Sequence, residues 1–320
     1  MLAGDIYAPG MIRLIDVPEP QLASDSTGEI IFKPELGCLC GSDLLYFDGH
    51  YPEFQPEVGH TLHELIGTVV ASSGNRFSHG DHVLCVPDEQ RGLFERFCVD
   101  ENQAIPLDPR PPREQALLAQ PLGTVLCALK KIPHLMDLDV VVVGQGPIGQ
   151  LFCAALRNVG ARKIIAVDRI ASRLASSTRM GANTTIDATQ QDPIATVSHL
   201  TGGAMADLVI EAVGHRDVAI NLCIDLCCRG GRILQFGVPG NRTDAVRWHT
   251  LLSKNITVHT SVGPSFDRDF PLAMRWISEQ RVDVSPIITH RYPLAELQLA
   301  FDTFRERRDG ALKVIIDFST

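Results

Sequence analysis

The stretch that most limits how this chain can fold is Asp139-Val140-Val141-Val142-Val143-Gly144-Gln145-Gly146-Pro147-Ile148-Gly149, continued by Gln150-Leu151-Phe152-Cys153-Ala154-Ala155-Leu156. Four consecutive β-branched apolar residues suit a parallel strand covered on both faces, where an apolar run replaces alternation. A glycine turn and a helix follow. Gly144, Gly146 and Gly149 are spaced as G-x-G-x-x-G: the first makes the tight turn, the second lets a pyrophosphate approach the backbone, and the third allows close helix packing. Unpaired N–H groups at the helix start would face that anion.

A glycine pattern alone is weak, because tight strand-to-helix turns use glycine for steric reasons. Its continuation is more telling. Lys163-Ile164-Ile165-Ala166-Val167-Asp168 reads as the next strand and ends on an acidic residue 24 positions after Gly144, where a ribose-binding carboxylate belongs. The expectation is a bound dinucleotide. Asp168 would accept hydrogen bonds from both adenosine ribose hydroxyls and repel a 2′-phosphate, which favours NAD over NADP, with Arg169 beside it working against that preference.

At 320 residues the chain is longer than a typical domain, so two domains are expected. Residues 1–122 contain short strand-like pieces at 11–17, 29–36, 65–71, 81–86 and 94–99, broken by Pro and Gly, the texture of an irregular β domain. From residue 123 strands and helices alternate, which predicts a doubly wound parallel sheet over 123–264. Helices are expected at 171–180, 193–200 and 218–228, and strands at 185–187, 206–211 and 231–236. The tail, 265–320, carries helices at 270–280 and 294–304 and a strand at 313–317, and it is expected to rejoin the β domain.

A net charge of −9 argues against nucleic acid or an anionic membrane as partner, since both need clustered Lys and Arg. No apolar run approaches the length of a membrane span and no secretory leader is visible, so a cytoplasmic location is expected. The nine cysteines form no regular framework and read as reduced thiols.

The β domain carries the second chemical signal. Cys38-Leu39-Cys40-Gly41-Ser42-Asp43 is followed by Gly59-His60-Thr61-Leu62-His63-Glu64. One thiolate, one imidazole and one carboxylate form a ligand set that suits zinc, and a catalytic zinc needs three protein ligands and an open position. By spacing alone, a Cys and a His this far apart are more often unrelated core residues.

Taken together, the segments Gly37–Asp43, His63–Gly67, Gly80–Val83, Gln120–Thr124, Gly144–Gly149 and Ile288–Leu294 give the chain a resemblance to the zinc-dependent medium-chain dehydrogenases, the family of alcohol, sorbitol and threonine dehydrogenases. The likeness covers almost the whole length. It implies a GroES-like irregular β catalytic domain, formed from both chain ends, around an inserted Rossmann domain.

By that resemblance Cys40 is the zinc thiolate and His63 the zinc imidazole, with Glu64 beside them; His63, unlike His60, precedes Glu as the family requires. Gln120 stands at the remaining ligand position, where the family usually has Glu, Asp or Cys. Ser42 matches the hydroxyl that touches substrate oxygen, and Tyr46 the place of a cleft tyrosine. Leu45 replaces a common relay histidine. The four-cysteine structural zinc lobe would lie between Pro87 and Gly92, where only Asp88-Glu89-Gln90-Arg91 stands, so one zinc per chain is expected. On the cofactor side the resemblance adds Pro147, Arg173 at the adenosine ribose, Thr124 and Ile148 against the nicotinamide, and Val213, Gly214, Gly237 and Val238 along its edge.

The expected activity is hydride transfer from a secondary alcohol, on a polyol, sugar or similar hydroxy compound, to NAD. Relatives commonly form dimers or tetramers, so a homo-oligomer is expected. Two other readings share the architecture: a zinc-free quinone or enoyl reductase, and a noncatalytic NAD(H)-binding protein.

Overall fold

A computed structural model describes residues 1–49, 55–214, 218–239 and 245–319. Strands β1 (Leu2–Ala8) and β2 (Met11–Asp16) form an antiparallel pair. Then come β3 (Glu29–Cys38), the short helix α1 (Asp43–Asp48), β4 (Glu64–Ser72), β5 (His82–Cys85), β6 (Phe97–Asp100) and β7 (Ala104–Pro106). Helices α2 (Arg113–Leu117) and α3 (Ala119–Leu129) follow. The next strand, β1 aside, is where the texture changes: β8 (Asp139–Val143), α4 (Pro147–Asn158), β9 (Lys163–Asp168), α5 (Ala171–Arg179), β10 (Thr184–Asp187) and α6 (Pro193–Leu200) alternate regularly. The alternation continues through β11 (Ala206–Glu211), α7 (Val218–Leu226), β12 (Cys227–Gln235), α8 (Trp248–Lys254) and β13 (Thr257–Thr260). The tail contributes α9 (Asp269–Ser278), β14 (Ile288–Pro293), α10 (Leu297–Glu306) and β15 (Lys313–Asp317).

The chain divides into two compact units, one of residues 1–120, 266–278 and 288–320, the other of residues 121–265 and 279–287. The short segment 279–287, which the sequence reading gave to the tail, therefore clusters with the parallel-sheet unit.

The first unit is built on a sheet in the order β14-β15-β3-β4-β5-β7, with β6 pairing β3. Proline and glycine interrupt its strands, and β3 and β4 shift register twice along their length. Their long central pairing is nevertheless secured by a core that includes Phe32, Leu39, Phe47, Leu62, Leu65 and Phe301. The C-terminal β15 enters this sheet beside β3, with Ile315 opposite Cys38. In this way residues near the end of the chain reach the start of the β3–β4 pair.

The second unit holds a six-stranded parallel sheet in the order β10-β9-β8-β11-β12-β13. Every residue of β8 is buried, which is why its valine run can dispense with alternation. From β8 the chain runs outward through β9 to β10, then crosses back to β11 and continues through β12 to β13 on the other side. The switch point lies between β8 and β11, and in open α/β sheets ligands bind outside the carboxyl ends of such strands.

The largest boundary differences from the sequence reading lie at α7 and β12, while α10 runs over Leu297–Glu306 after a 3-10 turn at Leu294–Glu296. Helix α7 stops at Leu226 and β12 begins at Cys227, because Cys227 already pairs with Ala206 before an irregularity restores the ladder at Leu208 and Arg232. The edge strand β13 and the first strand β1 were not anticipated.

Candidate active site

Cys40 lies two residues beyond the end of β3, and His63 immediately precedes β4. Cys38 and Glu64 are register partners across that antiparallel pair, so the two ligand candidates emerge side by side where the strands part. Cys40, His63 and Glu64 each offer a ligand atom, and these atoms all lie within 4.8 Å of one another. Cys40 Sγ is 3.5 Å from His63 Nε2. Two ligands at ordinary Zn–S and Zn–N bond lengths, separated by a tetrahedral angle, would stand about 3.6 Å apart. The donor chemistry and the spacing both fit a zinc ion.

Asp43, which the sequence reading left unassigned, ties this corner together. Its carboxylate accepts the Cys40 N–H at 2.7 Å and the Leu62 N–H at 3.0 Å. The second bond steadies Leu62 at φ +70°, uncommon for a residue with a side chain, and thereby fixes the direction in which His63 leaves the loop. Asp43 Oδ1 also stands 3.6 Å from His63 Nδ1, leaving Nε2 on the side of Cys40. A carboxylate behind the free nitrogen is a common way of orienting a metal-binding histidine. Burial opposes a charge on His63, but Cys40 and then Asp43 outweigh it and hold the imidazole pKa well above its usual range. For Asp43 burial favours the neutral acid, yet His63 and the two backbone donors prevail and its pKa is lowered.

Ser42 Oγ lies 2.7 Å from Cys40 Sγ. Tyr46 stacks on His60 with ring centroids 4.5 Å apart, and His60 Nδ1 accepts the Glu57 N–H at 2.7 Å. His60 is thus a hydrogen-bonded, stacked loop residue. Cys38 is buried, which pushes its thiol pKa up. Gln120 is buried at the start of α3. Between Pro87 and Gly92 the backbone makes a single 3-10 turn, Asp88–Gln90.

A second residue that sequence did not single out is Lys313, the first residue of β15. Its ammonium donates to both Glu64 oxygens, at 2.6 and 2.5 Å, and approaches the Leu39 carbonyl at 3.4 Å. Both side chains of the pair are almost wholly buried. Burial alone would lower the lysine pKa, but Glu64 reverses this and raises it.

In the parallel-sheet unit sterics require glycine at two of the three positions. Gly144 has φ +92°, and a Cβ there would meet Ala212 and Val213 at under 3 Å. A Cβ on Gly149 would fall 1.9 Å from the Gly144 carbonyl oxygen. Gly146 caps α4 in an extended conformation, with only Arg173 Nη1 near its missing side chain, at 3.9 Å. Pro147 occupies the first turn of α4, where its lack of an N–H costs nothing. Ile148 beside it and Thr124 on α3 are half-buried.

Asp168 faces this turn. Its Oδ2 accepts the Gln145 N–H at 2.6 Å, and its Oδ1 accepts those of Arg169 and Ile170 at 2.6 and 2.9 Å. Arg173 Nη1 is 3.9 Å from Oδ2. Beneath the turn lies a buried polar knot: Gln145 donates to the Val142 carbonyl, Ser177 donates to Gln145, and Gln150 donates to the Gln145 and Arg173 carbonyls. Further along the switch point, Glu211 Oε1 accepts the N–H groups of Val213 and Gly214 at 2.9 and 3.1 Å, while its Oε2 accepts Gln235 Nε2 at 2.5 Å. Gln235 also bonds the Gly237 carbonyl at 2.9 Å. Val213 and Val238 are left exposed on these two loops.

Residues 26–107 match the alcohol dehydrogenase GroES-like domain, and residues 147–279 match the zinc-binding dehydrogenase domain. An L-threonine 3-dehydrogenase from Bacillus licheniformis is 30% identical over 93% of this chain and 94% of its own. The chain belongs to the zinc-dependent medium-chain dehydrogenase family. It is an alcohol oxidoreductase of the zinc-dependent type. A D-arabitol-phosphate dehydrogenase from Enterococcus avium is 26% identical, covering 97% of this chain and 95% of its own. The fold is shared with the alcohol dehydrogenase TADH from Thermus sp. ATN1, at a TM-score of 0.90 and 24% identity over 99% of both chains. Among the described residues no helix is long and apolar enough to cross a membrane.

Proposed function

We propose that this dehydrogenase oxidises a secondary alcohol on a polyol, sugar or similar polar hydroxy compound, using NAD and one zinc ion held by Cys40, His63 and Gln120 with Glu64 alongside. The observation that carries the reading is the 3.5 Å separation of Cys40 Sγ and His63 Nε2 above a carboxylate that orients the imidazole. When bound, zinc supplies a Lewis acid that lowers the pKa of a hydroxyl and stabilises the charge left on its oxygen. Asp43 keeps Nε2 directed at that position and fixes the Cys40 backbone. The Ser42 hydroxyl, 2.7 Å from Cys40 Sγ, would relay the proton that the substrate gives up, accepting it while passing its own towards solvent. With Leu45 where a relay histidine would stand, the onward route starts at Ser42 without an imidazole. A bound nicotinamide would supply the hydride acceptor.

Gly144, Gly146, Pro147, Ile148 and Gly149 form the pyrophosphate turn in this reading. Asp168 and Arg173 take the adenosine ribose, and Thr124, Val213, Gly237 and Val238 bound the nicotinamide. The Asp168 carboxylate supports NAD, since a 2′-phosphate would meet a negative charge already committed to the turn. Two of the named relatives, an L-threonine 3-dehydrogenase and a D-arabitol-phosphate dehydrogenase, carry the names of hydroxy compounds with polar neighbours, which supports a polar substrate.

The assembly is a homo-oligomer joined through the β13 edge. Among the described residues that strand pairs on one side only, and Trp248, Leu252, Val258 and Val262 are exposed apolar residues on and around it; unpaired edges of this kind are templates for another chain. Nine free cysteines favour a reducing compartment, the cytoplasm. The test is a panel of alcohols, polyols and polyol phosphates with NAD and NADP, with and without a chelator. Chelator-sensitive NADH production with a polar secondary alcohol is expected; no such production from any substrate would refute the reading.

A further inference from the structure

Lys313 is a lysine at the head of a strand whose five residues are all buried. A cation in such a place demands a reason. The sheet register supplies the geometry: β15 pairs β3 with Ile315 opposite Cys38, β3 pairs β4 with Cys38 opposite Glu64, and the Leu39 N–H donates to the Val314 carbonyl at 3.0 Å. Lys313 is thereby delivered to the same corner as Cys40 and His63. There its ammonium engages both oxygens of Glu64. Glu64 is also within ligand-cluster distance of Cys40 and His63, so one carboxylate stands between two cations, the lysine and the metal.

We propose that Lys313 is the positioning residue that keeps Glu64 off the metal and so preserves the open coordination position that substrate needs. The inference rests on the zinc reading above. Its basis is charge as well as geometry. Cys40, neutral His63 and neutral Gln120 leave a zinc site at +1, and a Glu64–Lys313 pair adds nothing to it. Without the lysine, the buried carboxylate has the metal as its available cation, and its approach would bring the site to zero and fill the fourth position. Low-dielectric surroundings make that attraction strong.

The test uses the full chain with cobalt(II) in place of zinc, since cobalt visible bands report ligand number and type. The wild-type protein should show a thiolate-to-cobalt charge-transfer band, and added imidazole should shift its ligand-field bands by entering the open position. In Lys313→Met the ligand-field bands should differ, the imidazole response should be lost, and metal release to a chelator should slow at least about tenfold. Lys313→Arg should restore the wild-type spectrum, and Glu64→Gln/Lys313→Met should regain the imidazole response because no carboxylate remains to move. A Lys313→Met spectrum and imidazole response identical to wild type would overturn the proposal. Should Lys313→Met not fold, Glu64→Gln decides: unchanged ligand-field bands are expected, and altered bands would mean that Glu64 ligates despite Lys313. Absence of the charge-transfer band in wild type would instead overturn the zinc reading at Cys40, and the proposal with it.

Discussion

The metal corner and the glycine turn are built in opposite ways. The turn is made mainly of backbone: Gly144, Gly146 and Gly149 lie within six consecutive residues, and their positions follow from local sterics. The metal corner is made of side chains, and it joins residues 40, 43, 63, 64 and 313 through the register of three strands. A backbone site tolerates side-chain changes around it but not added volume within it. A side-chain site tolerates neither a lost partner nor a shifted strand, because each group is held by another.

Among the residues that support the ligands without holding the metal themselves, Asp43 is where a change, Asp43→Asn, is expected to have the largest effect. An amide can accept only through one oxygen, so it cannot hold the Cys40 and Leu62 N–H groups and also face His63. Loss of an orienting partner of this kind costs roughly 10- to 100-fold in metal affinity, measurable by competition with a chelating dye. The same titration should show affinity falling as pH is lowered. His63 has a raised pKa in the metal-free protein, so the metal must displace a proton there, and more protons compete below that pKa. An affinity independent of pH through that range would break the account of His63.

The glycine turn is sharpened by two alanines. Gly149→Ala puts a methyl 1.9 Å from the Gly144 carbonyl oxygen, which forces the turn to move and should cost about 1–3 kcal/mol of stability, together with NAD binding. Gly146→Ala meets only Arg173 Nη1 at 3.9 Å. Its stability should stay within about 0.5 kcal/mol of wild type, while the KM for NAD rises roughly tenfold, equivalent to about 1.4 kcal/mol. Equal destabilisation by both would show that the second glycine serves packing and not ligand approach. A smaller effect is expected of Asp168→Asn: the ratio of kcat/KM for NAD over NADP should fall about threefold to fivefold, under about 1 kcal/mol, with chelator sensitivity unchanged.

The same contrast explains what the sequence disclosed. The valine run, the glycine turn and Asp168 were legible because strand, turn and next strand are contiguous and each has its own steric rule. Cys40 and His63 were legible only through family resemblance, as their spacing alone carried little. Asp43 sat in plain view within Cys-Gly-Ser-Asp, but its part depends on Leu62 and His63 folding back onto it, which no local rule states. Lys313 left a faint mark, a lone charge heading an apolar run; its partner lies 249 residues away and is chosen by strand order. Glu211 left a similar one at the end of a buried strand. The α7–β12 boundary was misplaced because Cys227-Cys228 continues an apolar pattern that suits either element, and pairing to Ala206 decided it.

The central claim is that Cys40 and His63 hold a zinc ion on which alcohol oxidation depends. Metal analysis of the purified protein beside its Cys40→Ser variant tests it most directly, with alcohol-dependent NADH production followed on the same samples. The account predicts one zinc per wild-type chain, with metal content lost and turnover reduced by about 10³-fold or more in the variant. Wild-type protein without zinc that still oxidises alcohol, or a variant that keeps both metal and turnover, would contradict it.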